Sequence, residues 1–241
     1  MSEAATISSV SHAIRLVELL ARASTAMSVS ELARSLDLPR PTVYRLLRTL
    51  QSFNWTVQDG TKYRLSYRLP GLIATPDDIS ALVDRIKPRL SRLAAETNET
   101  VHFAVAEGDQ VVYLAKVDSS HPIRMFSYVG WQGPMHATAV GKALLAWPTL
   151  SPAVDRICDA GLHRYTARTI VDKNSLLAEL ERTRARGYAV DDEELIEGLV
   201  CIAAPVFEGD HVVGAISVAG PSSRMHDVEA YASLLLACAA E

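Results

Sequence analysis

Five side chains between residues 40 and 48 could bind nucleic acid. They are Arg40, Thr42, Tyr44, Arg45 and Arg48, and no carboxylate lies among them. Guanidinium and hydroxyl groups donate hydrogen bonds to phosphate oxygens and to the base edges of a duplex. The pattern therefore predicts a helix face that binds a polyanion, although an ordinary surface helix with solvated arginines would show the same pattern.

The same stretch has the spacing of an amphipathic helix. Its apolar positions recur every three or four residues, and they are Val43, Leu46, Leu47 and Leu50. Pro41 suits the first helical position, because the N–H group that it lacks would have no partner there. We therefore predict a helix that buries one side and presents its basic side to solvent.

Two further helices precede this one. A short helix is predicted from a helix-start signal at Ser28, Ser30 and Glu31, with Leu32, Ala33 and Leu36 as its apolar face. An earlier helix is predicted at 11–22 from its one-sided apolar residues. Together the helices predict a helix-turn-helix domain, in which we place Ser28, Ser30 and Pro41 among the DNA contacts.

A hairpin is predicted directly after the basic helix. Asp59-Gly60 stands between two alternating segments, which is a strong hairpin signal. Lys62 and Arg64 lie on one side of the second strand, where they can meet the sugar-phosphate backbone. The hairpin would form the wing of a winged helix-turn-helix domain.

Charge is segregated along the chain, whose net charge is −4. Residues 1–75 hold nine Lys or Arg and five Asp or Glu, a net charge of +4, whereas residues 76–241 hold fifteen and twenty-three, a net charge of −8. This asymmetry favours a basic head that contacts phosphate and an acidic body with another task. We predict a DNA-binding domain at 1–70, a linker helix at 71–98 and a third domain at 99–241.

The third domain is predicted to be α+β, with its helices on one side of a sheet that carries a pocket. Pro88 lies inside the linker helix and predicts a kink or a break into two helices. Strands are predicted at 100–106, 111–117, 123–129, 188–190, 199–207 and 211–219. Helices are predicted within 134–146 and at 152–160, 173–186 and 225–240.

Several classes of protein are disfavoured by what the sequence lacks. No apolar run approaches the ~20 residues that cross a membrane, and no leader pattern opens the chain, so we expect a cytoplasmic protein. Cys158, Cys201 and Cys238 are too far apart for a disulfide framework or a zinc knuckle. No nucleophile elbow or phosphate-cradling glycine loop occurs, so we expect no enzyme activity, no cofactor and no metal.

Four features of the third domain each leave several interpretations open. The acidic run 191–194 is either a solvated turn or the source of an inward carboxylate that bonds a ligand hydroxyl or Arg124. Cys201 is a small buried hydrophobe, a ligand contact or a redox switch, and His136 is a satisfied loop histidine, a ligand donor or a metal ligand. The fourth feature is a group of apolar and aromatic residues that could either line a pocket or simply pack in the core. They are Met125, Phe126, Tyr128 and Trp131.

The chain resembles the isocitrate lyase regulator (IclR) type of bacterial transcription regulators over essentially its whole length. Besides the head, the segments 134–146, 186–194 and 198–206 carry the resemblance, and the last two form a long signature. The resemblance implies a winged helix-turn-helix domain, a linker helix and a GAF-like domain that binds a small organic effector, often an organic or aromatic acid. It also implies a homodimer, often paired into a homotetramer on DNA.

The resemblance further implies which residues contact the effector. They lie in the loop before the helix of segment 134–146, at the start of that helix, and on strands beside the acidic run. They are Met135, His136, Ala137, Gly141, Asp191, Leu199, Cys201, Ser217 and Ala219, and we add Tyr128 from the proposed pocket wall.

These observations predict a ligand-responsive repressor of a metabolic or catabolic operon that binds a double-stranded DNA operator. Two alternatives belong to other classes. A small-molecule enzyme with a fused helical domain would show turnover and no DNA footprint. An activator would instead use its acidic surface to dock RNA polymerase.

Overall fold

The computed structural model describes residues 6–69, 77–122, 125 and 127–241. The chain divides into two compact units, Met1–Pro76 and Asp77–Glu241, which we call the first and second units. Within the described ranges, no helix is long and apolar enough to span a lipid bilayer.

The first unit consists of three helices and a small antiparallel sheet. Its elements are α1 (Ser8–Arg22), β1 (Met27–Ser28), α2 (Val29–Leu36), α3 (Arg40–Ser52), β2 (Thr56–Asp59) and β3 (Lys62–Leu65). Leu16, Leu32, Val43 and Leu47 are fully buried between the helices, and Tyr63 of β3 closes the core. The three helices and the hairpin predicted from the sequence are confirmed.

Local chemistry sets the turn between α2 and α3. Ser28 and Glu31 form a capping box at the start of α2, where the sequence predicted a helix start. Asp37 ends α2 in the left-handed region with φ of 55°. Helix α3 begins at Arg40, so Pro41 is its second residue, where an N–H group also has no partner within the helix.

Strand β1 was not predicted from the sequence. It pairs Met27 with Tyr63 of β3 and so extends the hairpin into a three-stranded sheet. A strand of two residues is too short to show an alternating pattern.

In the part of the chain that the structure describes, the second unit consists of five α-helices and one six-stranded sheet. Its helices are α4 (Asp77–Thr97), α5 (Ala139–Leu145), α6 (Ser151–Ala160), α7 (Lys173–Arg186) and α8 (Val228–Ala239), with a 3₁₀ turn at Pro148–Leu150. Its strands are β4 (Thr100–Glu107), β5 (Gln110–Val117), β6 (Gln132–Pro134), β7 (Ala189–Asp192), β8 (Leu199–Glu208) and β9 (His211–Pro221). All neighbours are antiparallel in the order β6-β5-β4-β9-β8-β7, which confirms an α+β fold.

Helices cover both faces of this sheet, so the prediction of helices on one side was wrong. Cys201 and Ala203 of β8 pack in the cluster that contains α5 and α7, whereas Val200, Ile202 and Ala204 pack in the cluster that contains α4 and α8. Residues 199–206 of β8 are all buried. Their continuous apolar run in the sequence is typical of a strand that is buried on two faces.

Two local predictions also need correction. Helix α4 is one continuous helix from Asp77 to Thr97 with Pro88 inside it, and the predicted break is absent there. Ile86 and Leu90, on either side of Pro88, are buried against the sheet, and this packing offsets the one backbone hydrogen bond that proline removes. The extended segment predicted at 123–129 lies partly outside the described residues, and Met125, Ser127 and Tyr128 are not in a strand.

Candidate functional site

Helix α3 presents a basic face to solvent. Arg40, Arg45 and Arg48 are exposed, Tyr44 is 48% exposed, and Thr42 is partly exposed. Within the described ranges, none of the three guanidinium groups forms an ion pair with a carboxylate. Since the opposite side of α3 is buried in the core, the helix is held with these donors pointing outward.

In the wing and at the start of α2, two of the predicted DNA-contacting side chains already have partners within the first unit. Lys62 is exposed, but Arg64 is partly buried, donates to the Leu65 carbonyl at 3.1 Å and stacks 4.4 Å from the Tyr67 ring centre. The Ser28 hydroxyl donates to Glu31 Oε2 at 2.7 Å and accepts from the Glu31 N–H group at 3.3 Å. That hydroxyl is engaged in capping, while Ser30 and Pro41 are respectively partly exposed and exposed.

The second unit contains a small void on the sheet face that α5 covers. Its volume is about 10 Å³, which is room for about one water molecule. Any larger molecule must displace side chains of the lining. The lining residues are Tyr113, Met125, Thr138, Ala139, Val140, Asp191, Leu195, Leu199, Cys201 and Ser217.

Four of the ten residues predicted from the sequence as effector contacts line this void: Asp191, Leu199, Cys201 and Ser217. The sheet explains their meeting, because Cys201 of β8 pairs in register with Asp191 of β7 and with Ala219 of β9. Ala219 is buried in the same cluster without reaching the void. A role for these residues in binding stays a prediction.

The other predicted contacts lie outside the lining. Met135 and Ala137 are fully buried, and the His136 ring nitrogen Nε2 lies 3.0 Å from the His163 carbonyl oxygen. A Cβ atom at Gly141 would lie 2.2 Å from the Met135 carbonyl oxygen, so glycine allows α5 to approach the preceding loop. Tyr128 is partly exposed and does not line the void.

Met125, which the sequence analysis placed in a possible pocket wall, lines the void, and the five other lining residues were missed. Tyr113 lies in the middle of β5 on the pocket face, where the alternating pattern of that strand could have revealed it. Thr138, Ala139 and Val140 stand at the start of α5, inside the segment 134–146 that carried the family resemblance. Leu195 follows the acidic run and had no distinguishing pattern.

The acidic run turns inward at two positions. Asp191 Oδ1 accepts from the N–H groups of Glu194 and Leu195 at 2.8 and 3.3 Å. The side chains of Thr166 and Thr169 donate to the Glu194 carbonyl, the latter at 2.6 Å. These bonds hold residues 191–195, which we call the acidic turn, against the void.

A buried ion pair supports the acidic turn. Lys142 of α5 is fully buried, and its ammonium group pairs with Glu194 Oε1. Burial raises the pKa of Glu194, and the charge of Lys142 opposes that rise. Arg124, the partner that the sequence suggested, lies outside the described residues, and Lys142 fills that role.

Asp191 is the ionisable group of the lining whose charge varies near neutrality. Burial raises its pKa from 3.8 to about 7, against the opposing charge of Lys142. Burial also raises the pKa of the Cys201 thiol well above its usual value, so this cysteine is a poor nucleophile.

A neutral histidine lies next to the void. Burial lowers the pKa of His102 to about 3, so the ring carries one proton at physiological pH. His102 Nε2 lies 2.7 Å from Ser127 Oγ, Nδ1 lies 3.5 Å from Ser217 Oγ, and the ring stacks on Tyr113 at 4.3 Å. Among the residues that the structure describes, no three His, Cys, Asp or Glu side chains are grouped to hold a metal ion.

Comparison with known proteins covers both units. A model of the IclR helix-turn-helix domain matches residues 9–60, and a model of the C-terminal domain of bacterial IclR transcriptional regulators matches residues 78–241. The chain belongs to the IclR family. Its resemblance to that family in sequence, and the helix-turn-helix and α+β domains expected from it, are therefore confirmed.

Curated members of the IclR family match most of the chain. The transcriptional regulator KdgR of Escherichia coli K12 is 34% identical over 214 residues, covering 87% of this chain and 81% of its own length. The transcriptional repressor AllR of Salmonella typhi is 36% identical over 222 residues, covering 88% and 79%.

Solved structures of the family have the same fold. The IclR protein of Thermotoga maritima superposes with a TM-score of 0.74 at 26% identity, covering 97% of this chain and 96% of that one. The C-terminal domain of E. coli KdgR superposes with a TM-score of 0.58 at 33% identity, covering 66% and 93%.

Proposed function

We propose that this IclR-family regulator acts in the cytoplasm as a repressor of a metabolic or catabolic operon. The exposed basic face of α3 carries the proposal, because its three guanidinium groups form no ion pair with any described residue and stand on a helix-turn-helix unit. The naming of the AllR relatives as repressors supports the direction of regulation. The second unit then serves as a sensor for a small organic effector rather than as an enzyme.

Arg45→Ala is expected to weaken operator binding by about 10- to 100-fold. Arg45 lies in the middle of the exposed face of α3, and loss of a bidentate contact with a base costs ~1–3 kcal/mol. Fluorescence anisotropy with a duplex from the region flanking the gene measures the change.

Arg22→Ala is the matched control for this measurement. It removes the same charge from the first unit, but Arg22 ends α1 and pairs with Glu18 at 3.7 Å. The control is expected to change affinity less than threefold. Equal affinities of the Arg45→Ala and wild-type proteins would remove Arg45 from the interface.

We also propose that the regulator is a homodimer, because helix-turn-helix proteins read two half-sites. An apolar groove of about 620 Å³ between α1 and α3 supports an interface between the first units. Val10 and Ile14 of α1 are 52% and 54% exposed there, and Trp55 is 39% exposed. Apolar surface of this kind on a soluble protein marks an interaction site.

Ile14→Glu is expected to raise the dissociation constant of the dimer at least tenfold. The substitution places a charge in the apolar groove, whereas Ile196→Glu alters an equally exposed isoleucine of the second unit. Sedimentation equilibrium gives the mass of both variants, and the Ile196→Glu protein should match the wild type. If the Ile14→Glu protein has the same mass as the wild type, the dimer interface lies elsewhere. A wild-type mass of four chains would show that dimers pair into tetramers.

A further inference from the structure

The walls of the void in the second unit differ in how firmly the fold holds them. Most of the lining belongs to strands of the sheet or to α5, whose seven residues are all buried. Leu195 of the acidic turn and Met125 are the partly exposed lining residues, and neither lies in a helix or strand. Enlarging the void therefore requires a wall to move, and the acidic turn is a wall outside regular secondary structure.

The connection between α6 and α7 anchors the acidic turn. Residues 163–169 of this connection, which we call the strap, form no helix or strand. The His163 carbonyl oxygen lies 3.0 Å from Nε2 of His136, in the loop before α5. The hydroxyl groups of Thr166 and Thr169 donate to backbone carbonyl groups of the acidic turn at 2.7 and 2.6 Å. The strap thus ties the loop before α5 to the acidic turn.

One hydroxyl group is the centre of this attachment. Oγ1 of Thr169 accepts from the N–H groups of Tyr165 and Thr166 at 3.0 and 2.8 Å, and it donates to the carbonyl group of Glu194. Thr169 is only 4% exposed. The same oxygen therefore shapes the strap and holds the acidic turn in place.

Hydrogen bonds rather than apolar packing hold the strap. None of its residues, all of which the structure describes, packs in a hydrophobic cluster. Most of its side chains are exposed, and Tyr165 is 45% exposed. A segment with few apolar contacts can open locally while the rest of the unit stays folded.

We infer that the strap is a releasable latch on the void. While its hydroxyl groups hold the acidic turn, the void of about 10 Å³ admits about one water molecule. When those bonds break, the turn moves away from the sheet and the void opens to larger molecules. The inference rests on the proposed sensor function of the second unit, and it names the segment that controls access.

The thiol of Cys201 reports opening without any effector. Cys201 lines the void and is 8% exposed, whereas Cys238 is 4% exposed in the cluster on the other face of the sheet. Full-length protein carrying Cys158→Ser, which removes the partly exposed cysteine, is labelled with methyl methanethiosulfonate at pH 8. Peptide mass spectrometry then gives the labelling rate of each buried thiol.

Thr169→Val keeps the shape of the side chain but has no hydroxyl group. It is expected to speed labelling of Cys201 about tenfold and to leave the rate of Cys238 unchanged. Thr169→Ser keeps the hydroxyl group and should label like the parent protein.

Thr183→Val is the matched control. Thr183 is a buried threonine of α7 whose hydroxyl group has no partner among the described residues. Its replacement should leave both labelling rates within about twofold of the parent protein, because no hydrogen bond is lost.

Two outcomes overturn the inference. One is an unchanged rate for Cys201 in both Thr169→Val and Thr166→Val, the second of which also removes a bond to the acidic turn. The other is an equal acceleration of Cys201 and Cys238, since the hydroxyl groups would then stabilise the whole unit rather than the turn.

Operator binding by the same preparations separates this inference from the proposed function. If the protein binds its operator but labelling of Cys201 ignores the strap variants, the latch alone fails. If labelling responds as expected but the protein does not bind DNA, the proposed function fails and the latch stands.

Discussion

The substitution Lys142→Met is expected to destabilise the second unit by about 3–5 kcal/mol. Methionine fills a similar volume, but it leaves the buried Glu194 carboxylate without the cation that pairs with Oε1. The other oxygen, Oε2, already lacks a partner within the described ranges. Scanning calorimetry of the full-length protein resolves the transition of the second unit and measures the loss.

A second substitution shows whether the loss comes from the unpaired charge. In Lys142→Met, Glu194→Leu both charges are absent, and stability is expected to return to within about 1 kcal/mol of the wild type or above it. Lys173→Met is the control, because Lys173 pairs with Asp155 at 2.8 Å at the surface and its loss should leave the transition unchanged. A Lys142→Met protein as stable as the wild type would contradict the role of the ion pair.

Ionisation of Asp191 is expected to make the second unit less stable as the pH rises. Its folded-state pKa is raised to about 7 from 3.8, so between these values the folded protein holds a proton that the unfolded chain releases. The stabilisation is complete below about pH 4 and is lost by about pH 7. At about 1.4 kcal/mol per unit, the full effect is about 4 kcal/mol.

Asp191→Asn removes this pH dependence. The free energy of unfolding of Asp191→Asn, relative to the wild type, is expected to increase by about 3 kcal/mol between pH 5 and pH 8. The unpaired amide lowers the variant's free energy of unfolding by the same amount at both pH values. The groups that surround the side chain, Lys142 of α5, Glu194 of the acidic turn, Tyr113 of β5 and Cys201 of β8, remain present. Urea titrations at each pH give the difference in the free energy of unfolding.

The exposed neighbour Asp192 provides the matched control for this series. Asp192→Asn changes the same functional group one residue along β7, where the side chain pairs with Arg168 at the surface. Its stability relative to the wild type should be the same at pH 5 and pH 8. If the stability difference between Asp191→Asn and the wild type is also the same at pH 5 and pH 8, Asp191 does not bind its proton more tightly in the folded state.

Most of the first unit could be predicted from the sequence because its signals are local. The capping box at Ser28, the Asp59-Gly60 turn and the apolar spacing of α3 each act within a few residues. Strand β1 was not predicted because it forms only through pairing with Tyr63, which is distant in the sequence. Ser28 was predicted to contact DNA, but its hydroxyl donates to Glu31. The residue type alone does not distinguish a serine that caps a helix from one that contacts a ligand.

The void in the second unit was less predictable, because its lining residues come from separate segments of the chain that the sheet brings together. Asp191, Cys201 and Ser217 meet because β7, β8 and β9 are neighbours in register. The partner of the acidic turn could not be found by proximity in sequence, since Lys142 precedes Glu194 by 52 residues. In the sequence, Lys142 resembles the solvent-facing polar residue of an amphipathic helix, and only the structure shows that it is buried.

The most direct test of this account is the affinity of the full-length protein for the duplex that flanks its own gene. Anisotropy titrations at 50 and 200 mM salt are expected to show binding that exceeds that of a scrambled duplex at least a thousandfold and weakens steeply with salt. A small organic effector that binds the second unit should change this affinity by about 5- to 150-fold. Equal affinity for both duplexes at low salt, unaltered by such a ligand, would contradict the account.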